Sequence, residues 1–370
     1  MKVKLEDVCK RIYAGGDVPK NRFSESKTKK YSVPIYANAE KNNGLYGYTD
    51  LAKEDELSIT IAARGTIGFV AIRTEPFLPV VRLITLVPNL SKISARYLYY
   101  VLRNLKPKCS GTSIPQLTVP DIKKNGIKLY AISKQEEIAD QLEILDNIIK
   151  IRSQEIKKLE DLIKARFVEL FGDPILNPKN WNCMKIGDVV NEVKYGTSLP
   201  AVEGGKYPYL RMNNLTSDGY LDLTNLKYID VSDDELEKCI VRYGDVLFNR
   251  TNSIDLVGKT AVYNLHEEMV IAGYIIRIRL NGKILPEVFS QYMNLNVMKE
   301  KLRSMAKGAV NQANINAKEL QGIKIYVPDM ELQKHFIDLK NQVDKSKAVI
   351  EKSLKELETL QASLMQKYFS

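Results

Sequence analysis

Residues 133–171 read SKQEEIADQLEILDNIIKIRSQEIKKLEDLIKARFVELF, and this stretch decides the architecture. It holds neither Gly nor Pro and is built mostly from Leu, Ile, Glu, Lys and Gln, all good helix formers. Ser133 is placed to cap the helix, with Glu136 as its capping-box partner. Gly172 and Pro174 end it. Apolar positions recur by steps of four and three: Ile138, Leu142, Leu145, Ile149, Arg152, Ile156, Leu159, Ile163, Arg166, Leu170. Eight of these ten are apolar, which is a heptad seam. At about 1.5 Å per residue the stretch makes a rod of about 58 Å. So narrow a stripe on so long a rod needs a partner helix.

The chain supplies its own partner. Residues 329–370 repeat the pattern at an offset of 198, with the stripe Phe336, Lys340, Val343, Lys347, Ile350, Leu354, Leu357, Gln361, Leu364, Tyr368. Gln135, Asp146 and Phe171 recur as Gln333, Asp344 and Phe369. An intramolecular coiled coil is expected.

The segments between the helices repeat as well. KLEDVCKRIYAGGDVP (4–19) aligns without gaps on KIGDVVNEVKYGTSLP (185–200), and GIKLY (126–130) matches GIKIY (322–326). The chain therefore reads as globule, long helix, globule, long helix, with boundaries at 1–132, 133–172, 173–328 and 329–370. That is a pseudo-dimer within one chain with an approximate two-fold axis. Strands are expected over Leu57–Ile72, Val80–Val87, Asp245–Thr251, Gly258–Tyr263 and Tyr274–Leu280. One helix per globule is expected, over Ser94–Lys106 and Pro286–Ala306. The fold class is α+β with small sheets.

Composition excludes several classes. No apolar run approaches the length of about 18 residues that spans a bilayer. The opening MKVKLEDVCK lacks an apolar signal core, so a cytoplasmic location is expected. Four cysteines lie far apart with no CxxC spacing, which fits reduced thiols rather than a metal site or disulfide framework. Net charge is +10 but uneven: residues 1–130 carry +11, whereas residues 181–328 carry +1. A surplus of that kind suits a polyanion.

Three polar regions recur in both globules. The first holds Lys27, Lys29, Lys30, Tyr31, Asn38 and Asn42, matched by Tyr209, Arg211, Asn213 and Asn214. The second is a strand end with an arginine, Arg64 in one half and Arg250 beside Asn249 and Asn252 in the other. The third follows the globule helix, with Thr112, Ser113 and Gln116, then Lys307, Asn311 and Gln312. Arginine can grip guanine in bidentate fashion, Asn and Gln can do so with adenine, and Lys, Ser and Thr suit phosphates. Three such loops on each globule are expected to line one DNA-binding groove.

Catalytic patterns are missing. The two histidines, His266 and His335, have no metal partner nearby in sequence. No phosphate loop, no nucleophile elbow and no NPPY- or DPPY-type stretch of the adenine methyltransferases is present. Asp245 and Asp255 read as turn residues. Neither a catalytic centre nor a metal site is expected.

Two variable globules divided by two repeated helices resemble the specificity subunit of type I restriction–modification enzymes. Local motifs agree: LFGDP (170–174), NPKNW (177–181), GDVLFNRTNSIDLVGKTAV (244–262) and NQANI before GIKIYVP. The first half departs, with DELSITIAARGTIG in place of GDVLF…GK. The resemblance implies two target recognition domains, each reading one half of a split double-stranded DNA sequence. It implies that the helices form an antiparallel coiled coil, set the half-site spacing and dock two methyltransferase subunits. S-adenosylmethionine, ATP and magnesium would then belong to partner subunits, the motor and endonuclease subunits among them, with no cofactor in this chain and no membrane partner. Antiparallel pairing also follows from the layout, because each globule closes just before a helix begins. The competing reading is a two-headed coiled-coil scaffold for proteins, which the near-neutral second globule suits. A nuclease or methyltransferase with degenerate motifs ranks third.

Overall fold

The computed structural model describes residues 1–105, 116–309 and 312–370. Two long helices dominate it, Ile132–Phe171 and Met330–Phe369. The first begins one residue before Ser133, and Gln135 N already donates to Ala131 O. Ser133 therefore sits inside the first turn and is not its cap. No helix among the described residues is long and apolar enough to cross a membrane.

The chain divides into two compact units. Met1–Ser153 with Lys352–Ser370 form the first, and Gln154–Glu351 the second. Each unit thus takes part of both long helices. In the first, Tyr368 Oη donates to Gln141 Oε1 at 3.1 Å and Gln361 Nε2 to Asp146 Oδ1 at 2.8 Å. Numbers rise on one helix as they fall on the other, so the pairing is antiparallel. In the second, Lys347 pairs with Glu160, and Phe167 and Phe171 meet Phe336 at ring-centroid distances of 5.3 and 5.6 Å. That pairing is antiparallel too.

The seam holds through Ile138, Leu142, Leu145 and Ile163, all buried. It then shifts. Arg166 is exposed while Phe167 and Phe171 are fully buried. The reason is the change of neighbour. Beyond Ile163 the helix packs into the core of its globule, and spacing by four replaces the coiled-coil alternation.

The duplication seen in sequence is a duplication of topology. The first unit has a four-stranded antiparallel sheet in the order Cys9–Ala14, Ile84–Pro88, Ser58–Ile61, Val70–Arg73. The second repeats it as Val190–Tyr195, Ile275–Leu280, Val246–Asn249, Thr260–Val262. Even the register shift near the start of the leading strand recurs, at Cys9/Arg11 and Val190/Glu192. A second sheet follows in each, three-stranded in the first unit and four-stranded in the second, with Val33–Tyr36 parallel to Leu78–Pro79 and Tyr207–Leu210 parallel to Met269–Ile271. Ser58–Ile61 occupies the place of Val246–Asn249. The stretch DELSITIAARGTIG is therefore the structural counterpart of GDVLF…GK although the residues differ.

Glycine explains part of the shared sequence. A Cβ on Gly15 would lie 2.5 Å from the Pro79 carbonyl, and one on Gly196 would lie 2.2 Å from Ile271 O. Both are points where two backbones close on each other, and only a residue without Cβ fits.

Two expected elements differ. The strand read from Val80 starts at Ile84, because Val81 and Arg82 adopt φ of 52° and 62° and turn the chain. The helix read over Pro286–Ala306 is two helices, Pro286–Asn294 and Asn296–Met305, separated at Leu295, whose backbone is extended.

Candidate nucleic-acid interface

In the second unit one buried amide organises the site. Asn249 ends its strand fully buried, and its Nδ2 donates to Thr251 O and Tyr274 O at 3.1 and 3.2 Å. Its Oδ1 accepts from Asn252 Nδ2 at 2.8 Å. Asn252 Oδ1 in turn accepts from Ser253 N. The chain then pairs Thr251 and Asn252 with Asn314 and Ala313 in a small antiparallel sheet. Thr251 Oγ1 donates to Asn314 Oδ1 at 2.8 Å. The second and third polar regions are thus zipped together.

Arg250 projects from this junction. Its Nη1 donates to Gly273 O at 3.1 Å and its guanidinium lies over the Tyr195 ring at 5.0 Å. Arg211 approaches from the first region, with Nη2 donating to Asn225 O at 2.9 Å. The Nε of each is buried with no partner in the structure. Both line a cleft of about 520 Å³ shared with Leu199, Met212, Asn213 and Tyr274. Two of the three regions therefore open onto one cleft that carries two guanidinium groups among apolar side chains.

Not every expected residue faces that cleft with a free group. Asn214 is buried, its Oδ1 accepting from Arg211 N and its Nδ2 donating to Asp222 O. It shapes the loop, and the exposed neighbour Asn213 is the residue presented. The buried Tyr209 donates its hydroxyl to Thr197 O and Leu199 O, and burial pushes that hydroxyl above its ordinary range. Gln312 is exposed on the strand Gln312–Asn314. Thr112, Ser113 and Asn311 lie outside the described residues, as does the side chain of Lys307.

In the first unit the three regions also meet. Asn38 Oδ1 accepts from Ala63 N at 2.8 Å, and its Nδ2 donates to Val81 O. Next to Ala63, Arg64 reaches Gln116 Oε1 with Nε at 3.1 Å and Nη2 at 2.8 Å. Asn38 thus joins first region to second, and Arg64 joins second to third. Asn42 is exposed on a left-handed turn with Asn43 and Gly44, at φ of 53°, 54° and 79°. The buried Arg73 pins that turn by donating to Asn43 O. Lys27, Lys29 and Lys30 are exposed, and Lys30 lies 4.9 Å from the centroid of the Tyr31 ring.

Two contributors escape a reading of the sequence. Tyr195 underlies Arg250 from a strand 55 positions away. Lys259 is buried and donates to Met212 O and Leu215 O, each at 2.6 Å, so it holds up the loop bearing Asn213. Asn249, by contrast, stands in the second polar region beside Arg250, a polar residue closing the apolar run VLFN. Asp245 is buried, accepting from Arg242 N and Arg279 Nε, which makes it a turn anchor.

Comparison with known proteins gives these units relatives. The chain is similar to a putative type I specificity subunit of Mycoplasma pneumoniae, 38% identical over 142 residues, covering 38% of this chain and 42% of that protein. It is similar to the putative type I restriction enzyme MjaX specificity subunit of Methanocaldococcus jannaschii, 28% identical over 198 residues, covering 52% of this chain and 46% of that one. The chain thus spans less than half the length of each of these two relatives. In fold it resembles the type I restriction–modification system S subunit from M. genitalium, with a TM-score of 0.60 at 17% identity, covering 100% of this chain and 96% of the other. The family described as type I restriction modification DNA specificity domain matches residues 1–161 and 178–359, and the chain belongs to that family.

Proposed function

We propose that this chain is a sequence-specific DNA-binding subunit of a type I restriction–modification enzyme. Each unit reads one half of a bipartite double-stranded target. The observation that carries this reading is the repetition: two copies of one sheet topology bring the same three polar regions together. Arginine and asparagine groups stand at both gatherings, and guanidinium and carboxamide groups are the ones that read base edges. The exposed lysines of the first unit supply phosphate contacts, which position without specifying.

In this reading the chain catalyses nothing itself. The long helices dock two methyltransferase subunits, and motor and endonuclease subunits complete the enzyme. S-adenosylmethionine, ATP and magnesium reside on those partners, and the assembly works in the cytoplasm.

Binding of the purified chain to duplex DNA over a range of salt concentrations tests the reading. Counterion release makes the affinity of a phosphate-contacting protein fall steeply and linearly on a log–log plot. The expected result is such a slope, with a specific sequence preferred over random duplex. No binding at any salt concentration would favour the protein scaffold instead. Methyl transfer by the chain alone from labelled S-adenosylmethionine would overturn its non-catalytic role.

A further inference from the structure

The turn Val80–Leu83 of the first unit and the turn Ala272–Ile275 of the second are the same turn. Val80 N donates to Tyr36 O and Ala272 N to Leu210 O, each at 2.9 Å. Val81 N donates to Gly16 O and Gly273 N to Thr197 O, each at 2.7 Å. Leu83 N closes back on Val80 O as Ile275 N does on Ala272 O, and Gly15 N and Gly196 N donate to Leu83 O and Ile275 O. Arg82 therefore holds the position that Tyr274 holds in the second unit. Tyr274 lines the cleft with Arg211 and Arg250.

Arg82 is exposed and makes no hydrogen bond or ion pair with any described residue. Its backbone is unusual. Val81 and Arg82 both lie in the left-handed region, at φ of 52° and 62°, and for a β-branched residue such as Val81 this is strained. The surrounding bonds enforce the strain. Asn38 adds to them by donating to Val81 O while accepting from Ala63 N. The turn that aims Arg82 is thereby tied to the residues flanking Arg64 and to Gln116 beyond it.

We infer that Arg82 reads a guanine in the half-site bound by the first unit, as a specificity-determining residue. This rests on the reading of the chain as a DNA specificity protein. A phosphate contact asks for a flexible charge on an ordinary loop, and Lys27, Lys29 and Lys30 already meet that need. A guanidinium presented from a turn whose backbone is fixed suits bidentate contact with guanine O6 and N7, where geometry decides.

The experiment selects duplexes from a randomised library with the full chain, at two salt concentrations, and sequences those retained. The wild type is expected to enrich a split sequence. Arg82→Ala and Arg82→Lys are each expected to lose discrimination at one G·C pair of one half, by roughly 10- to 100-fold, and to leave the other half intact. Both variants should keep the wild-type unfolding temperature, since the side chain is exposed. Retention of that preference by Arg82→Lys would overturn the bidentate assignment, because a single ammonium then suffices at that base pair. An unchanged enriched sequence in Arg82→Ala would overturn it as well. A wild-type chain that enriches nothing would overturn the specificity reading beneath it, and the variants are not needed to see that.

Discussion

Gln135 and Gln333 close the same joint in the two units, each fully buried at the start of its long helix. Gln135 Oε1 accepts from Ser94 N at 2.8 Å, while its Nε2 donates to Tyr130 O and Lys92 O. Gln333 Oε1 accepts from Leu285 N at 2.8 Å, while its Nε2 donates to Pro328 O and Lys283 O. One carboxamide thus ties each helix to the segment leading into the globule helix. Gln→Leu at either position leaves the N–H of Ser94 or Leu285 without its acceptor and takes the donor from two carbonyls, of which the one on Lys92 or Lys283 belongs to an exposed residue. At roughly 1–3 kcal/mol for a buried group left unsatisfied, a loss of about 2 kcal/mol is expected. Hydrogen exchange should show Ser94 N losing protection in Gln135→Leu and Leu285 N in Gln333→Leu, each change confined to its own unit.

Neighbouring glycines in the first unit should respond oppositely to alanine. The Cβ of Gly15→Ala would meet the Pro79 carbonyl and Val80 N, all backbone atoms that cannot turn aside. A Cβ on Gly16 would meet nothing within 4 Å. Denaturant melts should show Gly15→Ala destabilised by about 2 kcal/mol or more and Gly16→Ala within about 0.5 kcal/mol of wild type. Gly196→Ala should repeat the effect in the second unit, where the clash with Ile271 O is closer.

Lys259 gives the second unit a dependence on pH. Burial lowers its ammonium below the ordinary lysine range. Between that lowered value and about 10.4 the unfolded chain holds a proton that the folded chain has released. More protons bound to the unfolded state means stability rising with pH across that window. Lys299 is shifted the same way, so Lys259→Met should remove only part of the slope. Tyr209 and Tyr220 are shifted upward and act in the opposite sense above about pH 10. The measurement is the stability difference between wild type and Lys259→Met from about pH 8 to pH 10. It should move in favour of the wild type as pH rises, and a flat difference would show that Lys259 titrates alike in both states.

Long periodic elements were legible in the residues, and so was the duplication. Both helices, their antiparallel sense and the paired glycines follow from heptads, gapless repeats and the closing of each globule before its helix. The remainder turned on context that a single sequence hides. Asn213 and Asn214 are adjacent and identical in type, yet one is exposed and the other spends its amide on the loop. Arg166 continues a heptad count, but Phe167 is buried because the neighbour changes from helix to globule. Val81 gives no sign that it turns the chain, since β-branched residues ordinarily continue strands. The equivalence of Arg82 and Tyr274 was masked because Gly15 and Gly196 stand 181 apart whereas those two stand 192 apart.

Arg250 and the lysines of the first unit should fail in different ways. Arg250 is held over Tyr195 and against Gly273 O, inside a cleft that also contains Arg211. A guanidinium fixed in this way can discriminate between bases. Arg250→Ala is expected to cost roughly 1–3 kcal/mol for the preferred sequence and almost nothing for random duplex, with the change confined to one half-site. Lys27 and Lys29 are exposed and pair with no described residue, so each is free to follow a phosphate. Replacing either by alanine should weaken all duplexes alike and reduce the salt slope by about 1. Titrations of preferred and random duplexes at several salt concentrations separate the two behaviours. If Arg250→Ala lowers affinity uniformly and leaves the ratio of preferred to random binding unchanged, Arg250 contacts the backbone and the cleft does not read sequence.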